Sequence, residues 1–222
     1  MLRELKHKDV LRPIIEKVET QIEPVLKEID KRAEWNQYRV LKSFQKYQVS
    51  ESHFTPSTGY GYDDIGRDTL EKVYADCFGA EAALVRPQII SGTHAIATAL
   101  FGVLRPGDEL VYITGDPYDT LEEIVGIRGN GNGSLKEFGI GYRSVPLTAE
   151  GRPDFEKIRE SITDQTKMIG IQRSKGYADR PSFTIKEIEE MIRFVKEIKP
   201  DVVTFVDNCY GEFVEELEPC HV

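Results

Sequence analysis

Four short stretches of this chain combine residue types that can hold an anion or a flat charged ring. The first is Ser91-Gly92-Thr93-His94. It is predicted to open a helix, where unpaired backbone N–H groups and the positive end of the dipole favour an anion. Gly92 permits close approach, and the Ser91 and Thr93 hydroxyls add donors, a set that suits a phosphate. Ser91 alone reads equally well as an ordinary helix cap. The second is Asp116-Pro117-Tyr118-Asp119-Thr120, where the Tyr118 ring could cover a flat aromatic ligand or simply sit half buried at a helix start. The third is Val206-Asp207-Asn208-Cys209-Tyr210-Gly211. Asp207 closes an apolar strand, where a carboxylate without a partner is costly. A protonated ring nitrogen would be a fitting partner; a capping role is the alternative. No second ligand cluster accompanies it, which argues against a metal. The fourth is Tyr60-Gly61-Tyr62-Asp63-Asp64-Ile65-Gly66-Arg67. Arg67 offers a fixed fork of donors suited to a phosphate clamp, although the stretch also reads as an exposed loop.

The elements that must position these residues alternate along the chain. Residues 9–48 read as a helical arm with a break near Glu34 or Asn36, and Pro24 is expected to kink or divide it. Residues 50–66 read as a loop, and 68–78 as a helix closed by Gly79 in the left-handed conformation. Strands are expected at 82–85, 110–113, 143–146, 168–172 and 202–206, with helices at 91–104, 118–125, 153–162 and 184–198. The last helix is the clearest. Thr184 and Glu187 form a capping box, and Ile185, Ile188, Ile192 and Val195 share one stripe. Such alternation predicts an α/β fold with a mostly parallel sheet covered by helices on both faces. Ligands then bind beyond the carboxyl ends of the strands, where the second and third stretches fall. The run Gly129-Asn130-Gly131-Asn132-Gly133-Ser134 follows a helix and matches neither dinucleotide nor Walker spacing. It reads as a loop and a candidate lid.

The 222 residues suit one α/β domain or part of a larger one, and 40% hydrophobic content is enough for a core. A net charge of -9 argues against non-specific binding to nucleic acid or an anionic membrane surface. No segment approaches the apolar length of a membrane span, and the N-terminus lacks an apolar signal core. Cys77, Cys209 and Cys220 have no paired spacing and read as free thiols of a reducing cytoplasm.

In order, a Tyr-Gly loop, a Ser-Gly helix start, Pro-Gly-Asp followed by a tyrosine, and Val-Asp-Asn at a later strand end resemble fold-type I enzymes that use pyridoxal phosphate (PLP). The chain is most similar to the methionine γ-lyase-like, aluminium-resistance family, related to cystathionine β-lyase. Residues 59–67, 91–95, 133–139, 172–177 and 206–213 carry that resemblance. It implies that Ser91, Gly92 and Thr93 hold the cofactor phosphate, that Tyr118 stacks on the ring, and that Asp207 pairs with the ring nitrogen. His94 is a second stacking candidate or only a first-turn residue. Arg173 and Ser174 would line the site beside the ring hydroxyl, and Tyr60 and Arg67 would reach a neighbouring subunit's site in a homo-oligomer. The substrate would be a small sulfur amino acid, eliminated across its β or γ carbon.

The family's Schiff-base lysine follows the Asp strand by one more strand. No Lys follows Lys199 here, and Lys175 belongs to a different strand end. The expectation is therefore an arm (1–50) and a partial PLP-binding domain (51–222) without that lysine or the C-terminal small domain. No residue of this chain is then assigned a catalytic role, and PLP binding by it is expected to be weak or absent. An aminotransferase- or aldolase-type reaction on the same scaffold stays open, as does a non-catalytic fragment.

Overall fold

The computed structural model describes residues 7–62 and 64–222; Asp63 of the tyrosine–glycine stretch lies outside them. The elements are helices α1 (Lys8–Lys46), α2 (Ile65–Phe78), α3 (Gly92–Val103), α4 (Asp119–Val125), α5 (Phe155–Ser161) and α6 (Ile185–Ile198), and strands β1 (Glu109–Tyr112), β2 (Gly141–Ser144), β3 (Thr166–Gln172) and β4 (Val203–Asp207). The four strands form one sheet in the order β2-β1-β3-β4, and every pairing is parallel. The α/β architecture and the helical N-terminal region are those expected.

Alternation along the strands divides the core into two faces. Val111, Ile113, Ile169 and Ile171 pack with Ile185, Ile188, Met191 and Val195 of α6. Leu110, Tyr112 and Met168 pack on the other face with Leu100 and Leu104, and Val203 and Phe205 of β4 lie against this second cluster. Each fully buried side chain of this kind contributes roughly 1.5–3 kcal/mol. The α6 capping box is present in both directions: Glu187 N donates to Thr184 Oγ1 at 3.3 Å, and Thr184 N to Glu187 Oε2 at 2.8 Å. Gly79 ends α2 with φ 68°, as expected.

Two expectations fail. The arm is one unbroken helix through Pro13 and Pro24. A proline removes one hydrogen bond, and the surrounding turns are exposed, so water can take up the freed carbonyl. Asn36, expected near a break, is buried in mid-helix and bonds outward, its Nδ2 donating to Phe213 O at 2.9 Å and Glu215 O at 3.1 Å. The strand expected at 82–85 does not form. Val85 N donates instead to the Glu71 carboxylate at 3.0 Å, and Leu84 stays exposed. Four apolar residues without a neighbouring strand have no ladder to join.

Candidate active site

Chain connectivity places the site. The link leaving β1 runs to β2 on one side, whereas β3 lies on the other side and leads on to β4. The loops beyond the carboxyl ends of β1 and β3 therefore diverge, leaving a crevice at a topological switch point. A cleft of about 480 Å³ opens there, lined by Gly92, Thr93, Tyr118, Thr120, Gln172, Ser174, Gly176, Asp207, Cys209 and Tyr210 among others. Its size suits a small cofactor or substrate.

Strand parity aims the polar residues at its floor. Asp207 has the parity of Val203 and Phe205, so it faces the α3 side. Gln172 has the parity of Met168 and is the register partner of Asp207, so the two stand side by side. Asp207 is 8% exposed. Its carboxylate accepts from Cys209 N at 3.1 Å, the one hydrogen bond it makes among the described residues. Burial, first of all, pushes its carboxyl above the usual carboxylate range. A nearby cation would reverse that shift. Gln172 is 5% exposed, its Nε2 donates to Ser174 O at 3.2 Å, and its buried Oε1 has no partner among the described residues.

The α3 start supplies the opposite wall. Gly92 and Thr93 are its first residues, so their amides have no acceptor within the helix. A side chain built at Gly92 would meet nothing within 4 Å, which leaves the approach to those amides open. Ser91 Oγ is used as the helix cap, accepting from His94 N at 3.1 Å, and Ser91 is not among the lining residues. Thr93 Oγ1 lies 3.0 Å from Thr120 Oγ1, linking the starts of α3 and α4. Tyr118 precedes α4, its ring 6.0 Å from that of Tyr177. Gly176, at φ +56°, brings backbone close to the Tyr118 ring: a Cβ there would lie 3.2 Å from Cδ2.

The structure thus gathers Gly92, Thr93, Tyr118, Ser174 and Asp207 in one cleft. His94 lies outside it, its Nδ1 accepting from Ile90 N at 3.4 Å. Arg173 has the opposite parity to Gln172 and points to the α6 side. Tyr60 and Arg67 do not line the cleft; Tyr60 is 83% exposed, and Arg67 pairs with Asp64 and donates to Ser57 Oγ at 2.8 Å. The Arg67 guanidinium holds the Asp64 carboxyl below its usual range. Sequence reasoning missed Thr120 and Gln172. Gln172, like Asp207, is a polar residue closing an apolar strand, and that signal could have found it.

The family model described as methionine gamma-lyase matches residues 11–222. This chain belongs to the methionine gamma-lyase family. An uncharacterized protein of Bacillus subtilis (strain 168), YnbB, is 66% identical over 223 residues, covering 100% of this chain and 53% of its own. A solved structure from Listeria innocua, a proposed cystathionine beta-lyase involved in aluminum resistance, is 65% identical with a TM-score of 0.93, over 95% of this chain and 52% of that one. A carbon-sulfur lyase involved in aluminum resistance from Clostridium novyi NT is 45% identical with a TM-score of 0.91, over 96% and 51%. The chain spans about half the length of these relatives.

Membership of the methionine gamma-lyase family implies dependence on PLP. The residues present fit that group on three observations: open amides at α3 for an anion, the Tyr118 ring for a flat face, and a buried carboxylate that pairs with no cation among the described residues, for a protonated nitrogen.

Proposed function

We propose that these 222 residues form the cofactor-holding sheet of a PLP-dependent carbon–sulfur lyase that eliminates across the β or γ carbon of a sulfur amino acid. The observation that carries this reading is the shared cleft of Asp207 and the Gly92–Thr93 amides, joined to the family match. When bound, PLP draws electron density away from the substrate's α-carbon. The chain's own residues do the holding. Gly92 and Thr93 bind the phosphate, with Ser91 ordering the turn that presents their amides. Tyr118 covers one face of the ring and excludes water. Asp207 keeps a proton on the ring nitrogen, because a buried carboxylate and a buried cation stabilise one another's charged forms. Ser174 lines the cleft beside Gln172. Tyr60 and Arg67 are assigned to a neighbouring copy's site in a homo-oligomer, a role that the exposure of Tyr60 permits.

Proton removal from the substrate needs a base. No lysine follows Lys199 in this sequence, so we assign the elimination to a protein of the relatives' full length and expect the present chain to be inactive alone. The test is Asp207→Ala in such a full-length protein. Thiol release from cystathionine or methionine should fall by more than about 100-fold, the scale on which a transition-state electrostatic contact acts. Undiminished thiol release by the variant would remove Asp207 from the site. Transfer of the amino group to a keto acid, with no thiol released, would replace the lyase reading with an aminotransferase.

A further inference from the structure

Behind Asp207 lies a buried network of charges that the cofactor-holding residues do not use. Arg173 follows β3 and is 3% exposed. Its Nε donates to Phe183 O at 3.1 Å. Nη1 donates to Asn208 Oδ1 at 2.7 Å and to Gly211 O at 2.8 Å, and Nη2 donates to Glu215 Oε1 at 2.6 Å. Glu215 Oε1 also accepts from Ile185 N at 3.0 Å, which ties the same knot to the start of α6. Glu218 is fully buried; its carboxylate accepts from Phe213 N at 2.7 Å and Asn208 Nδ2 at 3.1 Å, and lies 3.9 Å from Arg173 Nη1.

The segment held in this way, residues 208–218, contains backbone angles that non-glycine residues adopt uncommonly. Tyr210 and Phe213 both have left-handed backbones, with φ of 66° and 59°. Side chains other than glycine rarely persist there unless the surroundings over-determine the conformation. Gly211 is packed so tightly that an added Cβ would lie 2.5 Å from both Arg173 Nη1 and Asn208 Oδ1. Residues 213–216 of the segment are held by α1, through the two bonds from Asn36, Arg32 Nη1 donating to Val214 O at 3.4 Å and Arg39 Nη1 donating to Glu216 O at 2.5 Å. Cys209 and Tyr210 of this segment line the cleft, and Cys209 N is the one donor to the Asp207 carboxylate among the described residues.

We infer that Arg173 is a positioning residue for the cleft: it anchors Asn208, Gly211 and Glu215, and so fixes the segment that orients Asp207, while Asn36 of α1 closes the other end. A planar fork is needed because one side chain must reach several acceptors in fixed directions. This inference rests on reading the cleft as a PLP site.

The test compares Arg173→Met, Arg173→Lys and Asn36→Ala with the parent 222-residue chain. Three readouts are followed: urea unfolding, hydrogen exchange of residues 208–218, and the absorbance of added PLP. Arg173→Met is expected to speed exchange in 208–218 by at least about tenfold while β3 and α6 stay protected. It should also weaken PLP binding by about tenfold and displace the bound absorbance band. Lysine keeps the charge without the fork and should recover part of both effects. Should Arg173→Met fail to fold, Arg173→Lys decides through the same two signals. Unchanged exchange and an unchanged band in a folded variant would overturn the inference. If the parent shows no PLP band, the absorbance is read on a protein of the relatives' full length, where a missing band would remove the cofactor reading, and the exchange measurement on the parent still judges whether Arg173 fixes the segment.

Discussion

Asp207 shows how one residue can be set against the stability of its own fold. Its carboxyl is buried with a single backbone donor, and burial raises its ionisation above the ordinary value. The folded chain therefore keeps a proton to a higher pH than the unfolded chain does. Between the two values the unfolded form binds fewer protons, so stability falls as pH rises through that window. Asparagine has nearly the same shape, can still accept from Cys209 N, and carries no charge. Without PLP, Asp207→Asn should melt a few degrees above the parent at neutral pH, since about 1 kcal/mol moves Tm by roughly 2–4 °C in a domain of this size. The margin should shrink as the pH falls toward the ordinary aspartate range, while PLP binding is weakened throughout. Melting curves of both proteins across pH check the sign; a variant less stable at neutral pH would mean that the carboxylate already has a partner.

At the scale of elements, what could be read in the sequence depended on whether the evidence was local. Helix α6 carries its own signals, a capping box and an apolar stripe, and forms where they place it. Thr184→Ala should cost about 1 kcal/mol by removing the cap. Ile188→Ala should cost about 2–5 kcal/mol by opening a cavity against β3. Urea midpoints of the two variants test that ranking. Asp207 was legible because a lone carboxylate at the end of an apolar strand demands an explanation. Gln172 obeys the same logic but carries no charge to draw notice. The direction of Arg173 depends on where β3 ends and on which face each parity points to, and no local pattern fixes either. Residues 82–85 have strand-like composition but no neighbour to pair with, which only the assembled sheet reveals. In α1 the prolines suggested a division that the exposed helix tolerates, and the tether through Asn36 joins residues 177 and 179 positions apart.

The whole molecule leaves much apolar surface uncovered. Among the described residues, strand β4 pairs with β3 on one edge and with no other strand. A hollow of about 910 Å³, lined by Phe44, Val73, Ile192, Val206, Phe213 and others, opens between β4 and helices α1 and α2. Along α1, Leu11, Ile14, Val18, Ile22, Val25 and Ile29 are all exposed at helical spacing. Exposed strand edges and apolar patches of this extent favour association. Opposing it is the net charge of -9, whose repulsion salt screens within about 10 Å at 0.1 M. The two effects predict a direction. The isolated 222-residue chain should be smallest at low ionic strength, and its mean mass should rise as salt increases from about 0.02 to 0.5 M, because screening weakens repulsion and leaves apolar burial intact. Light scattering on a sizing column measures this. A mass that instead falls with salt would mean that ion pairs hold the associated form, and that these apolar surfaces are covered within each copy.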